Sequence, residues 1–144
     1  MSIRVKQITI WRKEVTDRPG ELAATLRPFA AARADLSVVM GYRYPGAGGR
    51  AAIELFPVSG KKAIAAAQAQ GLTPSAMPAL QVEGDNRPGT GHAIAVAIAG
   101  AGINLDSLVA QVVGRKYSAI FGFGNAADAQ AAAGLIKKAT AKKK

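Results

Sequence analysis

TDRPGELAATL at residues 16–26 returns 69 positions later as DNRPGTGHAIA at residues 85–95. In each copy an acid or its amide, Asp17 or Asn86, precedes Arg-Pro-Gly, and an apolar run follows. In the first copy Leu22, Leu26, Phe29 and Ala30 fall at i, i+4, i+7 and i+8, the positions that share one face of a helix. Pro28 lies inside that pattern and cannot donate a backbone hydrogen bond, so a kink or an early end is expected there. A second polar residue completes the frame: Asp35 stands 18 positions after Asp17, and Asn104 stands 18 after Asn86.

Outward from this frame, each half of the chain has the same order of elements. Residues 3–13 alternate as a strand, with Ile8, Ile10 and Trp11 as its apolar weight. After the first helix, Leu36, Val38, Met40, Tyr42 and Tyr44 alternate with smaller or polar residues, the period of a strand with one buried face. The loop PGAGGR turns the chain into AAIELFPV to complete a hairpin, and GKKAIAAAQAQG is an Ala-rich helix closed by Gly71. A short closing strand falls near residues 72–76 and a new opening strand near 79–83. The second half then gives a helix, the strand INLDSLVAQVV, the strand YSAIFGFG and a terminal helix. The fold class is therefore α+β, a ferredoxin-like βαββαβ sandwich in two tandem copies, 1–77 and 78–144, the second without a clear final strand.

The net charge of +10 points to an acidic partner, yet five of the last eight residues are lysines, and Arg4, Lys6, Arg12 and Lys13 crowd the other end. With no cysteine there is neither a disulfide nor a thiolate site. The start lacks the pattern of a signal peptide, and the apolar stretch 93–103 is too short to span a bilayer. A soluble cytoplasmic protein with no membrane association is expected.

With Asp or Asn before Arg-Pro-Gly, an apolar helix, and then ADL or GINL opening the next strand, both halves resemble the ACT family of small amino-acid-sensing modules. The resemblance implies a stand-alone pair of ACT units without a catalytic domain, needing no cofactor. It also implies a free amino acid bound between units, by the turn of one and the second strand of its neighbour. Carried over residue by residue, the ligand-binding positions are Asn86, Arg87, Pro88, Gly89, Asn104 and Leu105 in the second copy, and Asp17, Gly20 and Asp35 in the first. The two units would lie side by side in one continuous sheet. Partners implied are a second copy, as homodimer or higher homo-oligomer, and an enzyme of amino-acid metabolism. Members that sense serine carry a His two residues before the Asn. Val15 and Gly84 stand at those positions, so serine is not implied.

Simple chemistry fits this picture. Pro-Gly at a helix start leaves backbone N–H groups at the positive end of the helix dipole, and Gly lets a carboxylate approach without a Cβ in the way. The first copy places two carboxylates in the frame, which disfavours a ligand carboxylate, so the second copy is the better site. Asp17 and Asn86 also read as plain helix caps. His92 has no partner at ligand spacing, and no catalytic constellation emerges, so no enzyme activity is expected. Two other classes compete. RKYSAIFGFG offers Tyr117, Phe121 and Phe123 on one face of a strand, which suits either a nucleic-acid platform, aided by the Lys-rich tail, or a core. A dimerisation module that binds nothing small is the other.

Overall fold

The computed structural model describes residues 3–46 and 48–141. In chain order its elements are β1 (Arg4–Ile8), β2 (Trp11–Thr16), α1 (Glu21–Ala31), β3 (Val38–Arg43), β4 (Arg50–Phe56) and α2 (Lys61–Ala69), then β5 (Thr73–Pro74), β6 (Ala79–Asp85), α3 (Thr90–Gly100), β7 (Leu105–Val113), β8 (Lys116–Phe123) and α4 (Ala126–Ala139). Two four-stranded antiparallel sheets form, in the orders β3, β4, β2, β5 and β1, β6, β8, β7. Both orders are those of a ferredoxin-like βαββαβ unit, and the α+β expectation holds.

The single strand expected over residues 3–13 is two strands that belong to different sheets. Contacts divide the chain into a middle unit, Thr9–Ser75, and a terminal unit made from the segments up to Ile8 and from Ala76 onward. The boundary at 77/78 is therefore corrected: the first eight residues go with the second half. They also supply the final strand that this half lacked, because β1 pairs antiparallel with β6 from Arg4 opposite Glu83 to Ile8 opposite Ala79. The physical reason lies in alternation. Ile3 and Val5 pack against a core of Leu80, Val82, Ile94, Ile98, Phe121 and Ile136, contributed by β6, β8, α3 and α4.

The middle unit closes over Val15, Phe29, Ile53, Leu55, Ala67 and Leu72. Helix α1 runs three residues past Pro28 before ending at Ala31, so the proline does not stop it. Its core face is narrower than expected: Thr25 and Phe29 are buried, whereas Leu22 is 43% exposed and Ala30 is exposed. Thr25 is accommodated because its hydroxyl donates to the Glu21 carbonyl at 2.8 Å. The closing strand β5 is reduced to Thr73–Pro74, opposite Trp11 and Arg12. Lys13 donates from Nζ to the Gln70 carbonyl at 3.0 Å, placing a cation at the C-terminus of α2 where the helix dipole favours it.

In strand β3 Val38 and Met40 are the half-buried residues and Val39 and Gly41 are exposed, the alternation expected, although the covered face is not the one that meets the helices. Its register sets Met40 opposite Glu54 and Tyr42 opposite Ala52, on the side away from Ile53 and Leu55, which meet the helices. In the terminal unit β7 is a nine-residue edge strand with a bulge between Leu105 and Ser107. At that bulge Gly122 is required by space, since a Cβ there would collide with Ser107 Oγ and the Met77 thioether. Beyond Leu105 every residue of β7 is exposed, including Leu108, Val109, Val112 and Val113 at 48–65%.

Candidate functional site

The Arg-Pro-Gly phrase folds the same way in both units. Gly20 and Gly89 are the N-cap residues of α1 and α3, with φ of 93° and 88°. This left-handed backbone is open to glycine and strained for other residues. Neither helix start has a side-chain cap, so the plain capping reading of Asp17 and Asn86 does not hold. Helix α4 provides the contrast, since Asn125 caps it by accepting from the Asp128 N–H at 2.8 Å. Before each glycine a backbone bond fastens the turn to the tip of the neighbouring hairpin. Asp17 N–H donates to Gly49 O at 2.7 Å, and Asn86 N–H donates to Arg115 O at 2.8 Å.

What differs is the charge around the two turns. Asp17 forms an ion pair with Arg43, Oδ2 to Nε 3.1 Å, and Arg18 Nε lies 2.5 Å from Glu21. In the terminal unit Thr90 takes the place of Glu21; its hydroxyl donates to the Arg87 carbonyl at 2.7 Å and draws the turn tight without adding a carboxylate. Asp85 is engaged by the Lys116 ammonium, which holds its carboxyl below the usual range. A hollow of about 210 Å³ lies beside this turn, lined by Asp85, Arg87, Pro88, Gly89 and Thr90 with Ile3 and Thr140. The first copy has one of about 290 Å³ lined by Asp17, Arg18, Glu21, Tyr42 and Arg43.

The later polar residues of the frame stand elsewhere. Asn104, exposed, and Leu105, half-buried, follow the C-terminal end of α3, whereas Gly89 caps its N-terminal end. An α-helix of 11 residues is about 16 Å long at the standard rise. Asp35 likewise follows α1, and lines a different hollow with Arg33, Gly60 and Lys61. Within one unit, then, the turn and the second polar residue cannot hold one small molecule. His92 is exposed in the first turn of α3. Among the described residues no three His, Cys, Asp or Glu side chains gather to hold a metal, and no helix is long and apolar enough to cross a membrane.

Tyr117, Phe121 and Phe123 are buried at 5% exposure or less, under the helices of the terminal unit. The aromatic platform of the nucleic-acid reading is therefore core. Three of the five lysines of its basic tail, at 142–144, lie outside the described residues.

A polar cluster that the sequence did not announce covers the helix-free side of the middle sheet. The Tyr42 hydroxyl donates to the buried Glu54 carboxylate, Arg12 Nη2 donates to Tyr44 Oη at 2.5 Å, and the two rings meet edge-on at 5.8 Å. Burial, with the Glu54 charge adding to it, pushes the Tyr42 phenol up to about 12. A free tyrosine titrates near 10, so between pH ~10 and ~12 the folded chain keeps a proton that the unfolded chain has lost. This contribution is complete below pH ~10 and disappears as pH rises through the folded value. The denaturation midpoint of the native chain should fall more steeply across that window than that of Tyr42→Phe. Parallel curves would remove the phenol from the account.

The two units are each a ferredoxin-like βαββαβ fold, in tandem along the chain. No family model matches the sequence, and no curated protein does so either. Solved structures do. The ligand-free regulatory subunit of aspartate kinase from Thermus thermophilus is 16% identical, with a TM-score of 0.64 over 98% of this chain and 99% of that one. A C-terminal regulatory domain of aspartate kinase from Porphyromonas gingivalis is 11% identical, with a TM-score of 0.56 over 97% and 98%. A protein from Bacteroides thetaiotaomicron gives 0.73 at 10% identity, over 93% and 89%. Over nearly its whole length the chain thus shares its fold with these regulatory domains of aspartate kinase.

Proposed function

We propose that the chain is a non-enzymatic sensor that binds a free amino acid at the Asn86–Gly89 turn and thereby controls its own assembly or an enzyme of amino-acid metabolism. The observation that carries this reading is the start of α3: an uncapped helix, opened by a left-handed glycine and fastened to Arg115, beside a hollow whose one acid, Asp85, is held by Lys116. Outward-facing amides of the first turn are suited to a ligand carboxylate. Regulatory subunits of aspartate kinase among the structural neighbours support the regulatory role and an amino-acid-metabolising partner.

Self-association supplies the missing half of the site. The exposed apolar strand β7 is an open edge, suited to antiparallel pairing with its own copy about a two-fold axis. Such a pair sets the Leu105 end of one strand beside the Val113 end of the other. Val113 leads into the Gly114–Arg115 tip to which Asn86 is bonded. Asn104 of the partner subunit would therefore reach the turn of the first, giving the amide that can accept from an α-ammonium or donate to a carboxylate.

A panel of free amino acids screened by thermal shift tests the reading. At least one should raise the melting temperature at millimolar concentration. Asn104→Ala and Gly89→Val should each weaken its binding about tenfold or more, roughly one hydrogen bond or more in free energy. No response to any amino acid would end the sensor reading.

A further inference from the structure

We infer that the terminal unit carries a second small-molecule site at the β1 edge of its sheet, fitted to a small dicarboxylate that also bears a hydroxyl. The basic residues that the sequence set apart at its two ends meet here. Arg4 and Lys6 from β1 and Lys137 from α4 line one hollow of about 480 Å³, together with Gln81 and Glu83 of β6. This is the volume range of small-ligand sites. The register explains the placement: Arg4 lies directly opposite Glu83 and Lys6 directly opposite Gln81, while Ile3 and Val5 complete the wall.

Gln81 makes this more than a basic patch. It is only 6% exposed, and its Oε1 is buried without a hydrogen-bond partner among the described residues. A buried acceptor left unmatched is costly, and buried polar side chains are otherwise almost always paired. Gln81 lines the hollow, and a ligand O–H there would satisfy the unmatched oxygen. Charge fixes the rest of the ligand. Three cations and one carboxylate line the hollow, and the cations come from two separate elements, which suits two anionic groups held apart. None of this depends on the turn at Gly89.

Isothermal titration of the full chain with L-malate and with succinate tests the site, because the two differ by one hydroxyl. Malate is expected to bind about tenfold more tightly, the worth of one hydrogen bond to a buried acceptor. Gln81→Leu should bring malate down to the succinate level, leave succinate within twofold, and melt no lower than the native chain without ligand. Arg4→Ala and Lys137→Ala should weaken both ligands about tenfold, while Gly89→Val should leave both unchanged. Absence of binding by either acid at millimolar concentration overturns the proposal, as does a malate preference that survives Gln81→Leu. Inorganic phosphate binding as tightly as malate through the same residues would overturn the choice of ligand.

Discussion

Residues 78–144 made alone should not fold, and residues 76–144 followed by residues 3–8 through a short linker should. The isolated piece lacks β1, leaving Leu80 and Val82, both fully buried in the intact chain, beside an open edge. It also loses Ile3 and Val5 from its core. Those two side chains alone are worth about 3 kcal/mol, discounted for partial burial, against the few kcal/mol by which a unit of about 70 residues is stable. The permuted piece restores the strand, and a short link suffices because Ile3 and Thr140 line the same hollow. Circular dichroism and amide exchange of the two pieces decide the matter: a cooperative melt from 78–144 alone would mean that β1 is dispensable. In the full chain, deleting residues 1–8 should strip exchange protection from β6 and β8 while leaving β2 and β4 protected.

The second large effect concerns association. Val109 is the middle residue of β7, so a two-fold pairing of that strand sets it close to its own copy. Val109→Asp brings two carboxylates together at the axis and removes exposed apolar surface, and like charges facing across strands are destabilising. Sedimentation should show the dissociation constant rising a hundredfold or more, with an unchanged circular dichroism spectrum. A native chain that sediments as a monomer at high concentration would sink the paired-strand part of the proposal. If the amino-acid response needs Asn104 of the partner subunit, Val109→Asp should abolish it as well.

The repeated phrase was legible because its physics is local. Pro-Gly at a helix start and a left-handed glycine are demands of a few adjacent residues, and both turns obey them. The strand order of a ferredoxin-like unit followed from the order of elements. The stretch from Ile3 to Trp11 was not legible in the same way. It contains neither Gly nor Pro, and it alternates smoothly from β1 into β2, so nothing local marks where one sheet is left for another. Strand β3 shows a related limit. Period two says that Met40 and Tyr42 share a face, but which face meets the helices is settled by Ile53 and Leu55 on the neighbouring strand. The constant spacing of 18 measured a helix plus a loop, and so set Asn104 at the opposite end of α3 from Gly89. Gln81 was silent because a glutamine in a strand carries no motif, and Lys137 was one of a run of C-terminal lysines with nothing to set it apart from the rest. Only the pairing of β1 with β6 puts them beside Arg4.

That pairing also orders events in time. As the chain leaves the ribosome, β1 emerges first and has no partner until β6, about 70 residues later, has followed it out. The middle unit meanwhile has every strand it needs by Ser75. Synthesis should therefore complete the middle unit first, with the opening strand held in waiting, and the terminal unit should be the slower to form because its edge must be closed across the longest loop in the chain.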